Sequence, residues 1–112
     1  MINITFKPNV YELKINGHAD YSKGETDVVC AATSILIYTL CESLMLDRAM
    51  LKEDPIFVFE NGNGYVCCEP IGDFEATIAR TYKTIINGYQ LLADSYPNNV
   101  KLKIKDAYKK EK

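Results

Sequence analysis

The chain has one histidine, His18, and its four cysteines, Cys30, Cys41, Cys67 and Cys68, include no Cys-x-x-Cys pair. A structural zinc site needs two or more ligands at such spacing, so none is expected. Cys67 and Cys68 are neighbours that a strand would turn to opposite faces, and Cys30 and Cys41, if helical, stand roughly 16 Å apart along the axis. Disulfides are uncommon in a reducing compartment, and free thiols are the expectation. No continuous run of about 18 apolar residues offers to span a bilayer. The amino end, Met1-Ile2-Asn3-Ile4-Thr5-Phe6-Lys7, has neither the basic flank nor the 7–15-residue apolar stretch of a signal peptide, which makes the cytoplasm the expected location. Repeats and low-complexity tracts are missing, as is a glycine-rich phosphate cradle near Cys30, which argues against a cysteine-based phosphatase or phosphotransferase. No metal or cofactor is implied.

What is present fits a globular protein. The 112 residues are 47% hydrophobic and 25% charged. A domain of this size buries roughly two-thirds of the surface its unfolded chain exposes, enough for one core and not two. A single domain over 1–112 is therefore expected. The net charge of −2 hides an asymmetry: residues 1–100 carry seven Lys or Arg against thirteen Asp or Glu, and residues 101–112 carry six Lys against Asp106 and Glu111. Lysines blunting an edge strand account for the basic end, and a weak electrostatic contact with RNA or an acidic partner is the alternative. Direct nucleic-acid binding by the body of the protein is not expected.

Along the chain, residues 2–7 and 10–17 read as strands joined by a turn at Pro8-Asn9. In the second, Tyr11, Leu13 and Ile15 alternate with Val10, Glu12, Lys14 and Asn16, the pattern of a strand with one wet face. Residues 20–26 are polar, contain Gly24 and read as a surface loop. Asp27 to Asp47 lacks Gly and Pro and is predicted to be a helix of about five turns, with Glu25, Thr26 and Asp27 supplying caps and negative charge at its start. Val28, Val29, Ala31, Ala32, Ile35, Leu36, Leu40, Leu44 and Met45 cover more than one of its faces, so it needs a second burial surface, either another helix or a second copy of the chain. Ile56–Phe59 and Tyr65–Glu69, separated by Asn61-Gly62-Asn63-Gly64, read as a hairpin. Asp73 to Ser95 reads as a one-sided helix with Ile78, Tyr82, Ile85, Ile86, Tyr89 and Leu92 inward, weakened by up to about 1 kcal/mol at Gly88. Val100 to Ile104 closes as a strand. The fold class expected is α/β of the α+β type: a two-layer ββαββαβ domain, its sheet mostly antiparallel with two helices on one face.

Between the end of the second strand and the start of the first helix lie Gly17-His18-Ala19 and Gly24-x-x-Asp27-x-Val29-Cys30-Ala31-Ala32-x-Ser34. A cysteine in the first turn of a helix sits where unpaired N–H groups and the dipole favour an anion, and an imidazole at a strand end across one loop can take its proton. By residue type alone, a cysteine in an Ala-rich helix is more often a small buried hydrophobe and a lone histidine a surface or capping group. The pattern resembles the Prp family of bacterial ribosomal-processing cysteine proteases. That resemblance implies His18 and Cys30 as the catalytic pair, a homodimer, and as substrate the amino-terminal extension of a large-subunit ribosomal protein, number twenty-seven in the standard naming. Asp27 and Ser34 match the pattern and share the helix face of Cys30. Asp27 either holds His18 or complements the dipole, and Ser34 either sits near the sulfur or bonds the carbonyl of Cys30. Tyr21, Ser22, Lys23 and Gly24 are candidates for a segment that closes over a peptide. The alternative function is a non-catalytic module that binds the ribosome or its proteins.

Overall fold

The computed structural model describes residues 1–17, 25–60 and 62–105, the side chains of residues 25–27 excepted. Alternating apolar residues make strand β1, Ile2–Lys7, and strand β2, Glu12–Gly17. They pair antiparallel with Ile4 opposite Ile15 and Phe6 opposite Leu13, so one face of the pair is buried and the other carries Thr5, Lys7, Glu12 and Lys14. The link between them is longer than a tight turn at Pro8-Asn9. A 3-10 turn over Pro8–Val10 ends in Tyr11, which takes the left-handed conformation at φ 55°. The second strand therefore starts at residue 12 rather than 10.

Helix α1 runs Glu25–Leu46, strand β3 Ile56–Glu60, strand β4 Asn63–Cys67, helix α2 Glu75–Ser95 and strand β5 Val100–Ile104. In the β3–β4 hairpin Glu60 pairs with Asn63, and Gly62 just before Asn63 takes φ 79°, a positive angle that favours glycine. Asn63 and Gly64, expected in the turn, belong to β4 instead. The sheet order is β3-β4-β2-β1-β5, antiparallel except for β1 and β5, which run parallel because α2 carries the chain back across the sheet before β5 begins. This is the α+β architecture expected, with both helices packed over the buried face of a mixed sheet.

Between the layers lie Ile4, Phe6, Leu13 and Val66 from the sheet, Val29, Leu40 and Leu44 from α1, and all six apolar positions expected on α2. Phe6 and Tyr82 stack with ring centroids 5.8 Å apart. Gly88 has a packing role on α2: an added Cβ would lie 2.7 Å from a terminal methyl of Leu36 on α1, so the missing side chain lets the helices approach. The apolar excess of α1 is only partly absorbed. Ile35 stays 62% exposed and Leu91, across the groove on α2, 68% exposed, although α1 already packs on both the sheet and α2.

The composition of α1 stands apart from that of the other elements. The segment Val28–Leu46 has a mean hydropathy of 1.8 and is long and apolar enough, by length and composition, to cross a membrane. No continuous apolar run exists there because Thr33, Ser34, Thr39, Glu42 and Ser43 interrupt it, yet the average over the segment remains high. Core helices of folded proteins pass the same criterion, and here Val29, Leu40 and Leu44 are fully buried against the sheet layer.

Candidate active site

Three segments converge where β2 ends. Gly17 pairs with Ile2 at the start of β1, and its N–H donates to the carbonyl of Gly62 in the β3–β4 turn at 2.9 Å. It adopts φ 104°, and a Cβ built there would overlap the carbonyl oxygen of Met1. Only glycine fits at this end of β2.

Over this junction lies one face of α1. Cys30, Thr33, Ser34, Ile37 and Tyr38 follow the i, i+3, i+4, i+7, i+8 spacing and together wall a cleft of about 280 Å³. Ile2, Ile15 and Gly17 form its floor from the sheet, and Phe59, Glu60, Asn63 and Gly64 close it from the hairpin. Gly64 keeps the cleft open at that side, since a Cβ on it would come within 3.2 Å of Ile37 Cδ1 and 3.5 Å of the Phe59 ring. The Phe59 ring in turn meets Tyr38 edge to face with centroids 5.0 Å apart, joining α1 to β3 across the cleft.

Cys30 is half-buried in this wall and is a free thiol. The helix starts at Glu25, so Cys30 is its sixth residue and lies in the second turn, not the first. The amide of Cys30 falls past the first turn, inside the hydrogen-bonded ladder. The earlier start is consistent with the acidic, cap-forming Glu25-Thr26-Asp27 sequence.

The neighbourhood of Cys30 is held from beneath. Thr33 is buried, its hydroxyl donates to the Val29 carbonyl at 2.9 Å, and its carbonyl accepts the Tyr89 hydroxyl of α2 at 2.8 Å. Ser34 behaves differently from the helical threonines. Thr33, Thr39, Thr81 and Thr84 all bond the carbonyl four residues back, whereas the Ser34 hydroxyl makes no such bond to Cys30 and is left free among the described residues, exposed at the cleft. The expectation that it bonds the Cys30 carbonyl is not met.

Three further thiols lie elsewhere in the fold. Burial, followed by the nearby Glu42 charge, pushes Cys41 from its ordinary 9.0 up to about 11. Burial also raises Cys67 and Cys68, and Cys68 accepts the buried Tyr82 hydroxyl at 3.6 Å. All three keep their protons near neutrality, as packing residues do.

Of the residues singled out by sequence, the fold brings Cys30 and Ser34 together in the cleft. Asp27 lies on the same helix with its side chain outside the description. His18, Tyr21, Ser22, Lys23 and Gly24 lie outside the described residues. Sequence reasoning missed Thr33, Ile37, Tyr38, Phe59, Glu60 and Asn63. The helical spacing from Cys30 would have found the first three; the hairpin residues carried no local signal beyond their turn chemistry. Among the described residues no group of three His, Cys, Asp or Glu is placed to hold a metal ion.

The site is thus a half-buried cysteine of α1 set into the wall of a cleft over a mixed sheet. The family model described as "Cysteine protease Prp" matches residues 1–101, and the chain belongs to that family. It is a cysteine protease. Among solved structures, the ribosomal processing protease Prp of Staphylococcus aureus in complex with a substrate peptide is similar, with a TM-score of 0.70 at 20% identity, covering 94% of this chain and 100% of that one. The same protease with a covalently linked product peptide gives 0.70 at 19% identity, covering 93% and 97%. SMU.848 of Streptococcus mutans gives 0.69 at 19% identity, covering 95% and 93%. At these identities the likeness establishes the fold. No curated protein sequence matches the chain.

Proposed function

We propose that this protein is a ribosomal-processing endopeptidase in which Cys30 is the nucleophile and His18 the general base and acid. The observation that carries the reading is the position of Cys30: a half-buried thiol in the wall of the cleft whose floor includes Gly17, the residue immediately before His18 in sequence. His18 takes the Cys30 proton, and the sulfur attacks the scissile carbonyl carbon. Collapse of the tetrahedral intermediate breaks the C–N bond; His18 returns its proton to the leaving amine, and a thioester remains. A water deprotonated by His18 then releases the new carboxylate and frees the thiol. The covalently linked product peptide on the structurally similar S. aureus protease supports this route. Ser34, with its hydroxyl free at the cleft, and Asp27 on the same helix are proposed as supporting residues, and residues 21–24 as the segment that closes over bound peptide.

The substrate proposed is the amino-terminal extension of the large-subunit ribosomal protein number twenty-seven, bound as an extended strand. Supporting a strand-like substrate, β3 is an edge strand with no lysine or proline within it, and its last residues form the cleft wall. The opposite edge, β5, carries Lys101 and Lys103. The enzyme works as one domain over 1–112, in the cytoplasm and as a homodimer, the last supported by the apolar groove of Ile35, Leu36 and Leu91 between α1 and α2. The basic end of the chain is left with at most a weak contact to RNA.

Incubation with the extended ribosomal protein of the same organism, followed by mass spectrometry, tests the reading. Cleavage at one position is expected from the wild type, with none from Cys30→Ala and at least a thousandfold slower cleavage from His18→Ala. A thiol reagent at neutral pH should label Cys30 ahead of the other three cysteines, and His18→Ala should slow that labelling. Equal, slow labelling of all four thiols and an uncut substrate would point instead to a binding module.

A further inference from the structure

Both helices lie on one face of the sheet, and no described element covers the other. On that open face the register aligns side chains in rows across the strands: Tyr65, Lys14, Thr5 and Lys103 in one, Glu12 and Lys7 in the next. The Lys105 N–H donates to the Phe6 carbonyl at 3.0 Å, which carries the β1–β5 pairing one residue further and sets Lys105 beside Lys7. Lys101 stands on the same face beside Asn3. Thr5, Lys7, Glu12, Lys14 and Lys105 line a shallow trough there of about 140 Å³. The fold thereby sorts charge by face. The open face carries five lysines against Glu12 and Glu60, and Glu60 lies at the far edge on β3; the other described residues carry four Lys or Arg against ten Asp or Glu. Lys7 reaches Glu12 at 3.7 Å, so the one acid inside the basic patch is paired. The net charge of −2, which gave no reason to expect nucleic acid on the body of the protein, therefore does not describe the surface a partner meets. Edge protection accounts for Lys101 and Lys103 on β5, but Lys7 and Lys14 sit on β1 and β2, internal strands with no edge to blunt.

We infer that this open sheet face holds the sugar-phosphate backbone of single-stranded RNA. Lys101, Lys103 and Lys105 repeat at roughly 6.7 Å along the chain, and their flexible stems let neighbouring ammonium groups reach successive phosphates. Tyr65, half-buried beside Lys14, presents a ring at the margin of the patch on which a base can stack, a contact that an acidic peptide or a lipid headgroup does not use. The acidic remainder of the molecule turns a polyanion away from every other side and so orients the encounter. The choice of RNA over DNA rests on the ribosomal-processing reading above, which places the enzyme's substrate among RNA. The peptide cleft lies under α1, on the helix side of the sheet, so a strand on the lysine face leaves it open. Four of the five lysines are exposed, which makes the contact weak and strongly dependent on salt.

The test is fluorescence anisotropy of a labelled oligouridylate titrated with the full chain between about 50 and 200 mM salt. A dissociation constant on the order of 10 μM is expected at the low end, with log affinity falling against log salt at a slope of about −2 to −3, the release from three or four phosphates. Lys14→Gln with Lys103→Gln should weaken binding roughly three- to tenfold and flatten the slope by about 1 to 1.5, whereas Lys83→Gln on α2 should change neither. All three side chains lie outside the core, and urea melts that match the wild type confirm that the variants fold. Binding that survives the Lys14 and Lys103 changes but is lost with Lys109→Gln, Lys110→Gln and Lys112→Gln together would move the contact to the end of the chain and overturn the inference. Tighter binding to polyglutamate or to phosphatidylglycerol vesicles than to the oligouridylate would overturn it as well. None of these readings depends on proteolysis. An enzyme that cuts the extended ribosomal protein and ignores RNA would sink this inference alone; one that binds RNA through the sheet and cuts nothing would remove the endopeptidase reading and leave the lysine face in place.

Discussion

Gly17 shows how much one side chain of zero length contributes. Its positive φ is open to other residues only with strain, and the space where a Cβ would sit is filled by the Met1 carbonyl, a backbone atom that cannot rotate away. Gly17→Ala should lower stability by about 2 kcal/mol or more, measured by urea denaturation, and should reduce proteolytic activity beyond that loss, because the start of β1, the end of β2 and the β3–β4 turn are pinned together through this residue. Wild-type stability and activity in that variant would show that the junction is looser than its hydrogen bonds imply. Ser34 makes the complementary point. In the same helix and at similar exposure, Thr39 spends its hydroxyl on the carbonyl one turn back, and Ser34 does not. That leaves a free hydroxyl one turn from Cys30 at the cleft.

At the scale of the element, α1 performs two tasks with two faces. One face, through Val29, Leu40 and Leu44, is part of the core and is braced by the Tyr89 hydroxyl on the Thr33 carbonyl. The face beginning at Cys30 walls the cleft. Neither uses Ile35, which with Leu91 faces a shallow groove between the helices. Bare apolar surface of this kind on paired helices is the form of a self-complementary interface. For the proposed homodimer, Ile35→Glu should give a monomer in sedimentation equilibrium where the wild type gives a dimer, with fold stability of the monomer little changed because the residue is already exposed. An unchanged mass for the variant would detach this groove from the dimer. The first-turn position expected for Cys30 was an error of boundary, not of element: cap chemistry can be satisfied at several neighbouring residues, and the helix began as early as those residues allowed.

At the scale of the whole molecule, the buried acids set its tolerance of alkali. Cys41 is raised to about 11 by burial and by Glu42, Cys67 and Cys68 are raised by burial, and burial lifts Tyr82 and Tyr89 well above the ordinary tyrosine range. A raised acid binds its proton more tightly folded than unfolded. Below about pH 8.5 both states keep it and stability is unaffected; above that the unfolded thiols, and near pH 10 the unfolded tyrosines, ionise first and unfolding is favoured. Urea melts should give the same free energy at pH 7 and pH 8, then a decline that starts near pH 9, reaches about 2 kcal/mol or more by pH 11 and is steepest above pH 10. A flat profile through pH 10.5 would mean that these side chains reach water.

The elements of this protein were legible in the chain because their signals are local. Leu13 and Ile15 alternate with polar neighbours, the Asn61-Gly62-Asn63-Gly64 cluster marks a hairpin though not where its second strand begins, and the six inward positions of α2 recur at helical spacing; each depends on residues a few positions apart. The pattern around Cys30 was legible for the same reason, since its residues fall within one stretch of chain. The parallel pairing of β1 with β5, the glycine contact between the helices, and the meeting of Phe59 and Glu60 with Cys30 were not. Each joins residues far apart in the sequence, and no local preference encodes which distant surface a strand end or helix face will meet. Local sterics and hydrophobic period determined the parts; only the closing of the sheet under α1 decided that a turn-like Asn-Gly-Asn-Gly segment and a strand-ending glutamate would become walls of the cleft.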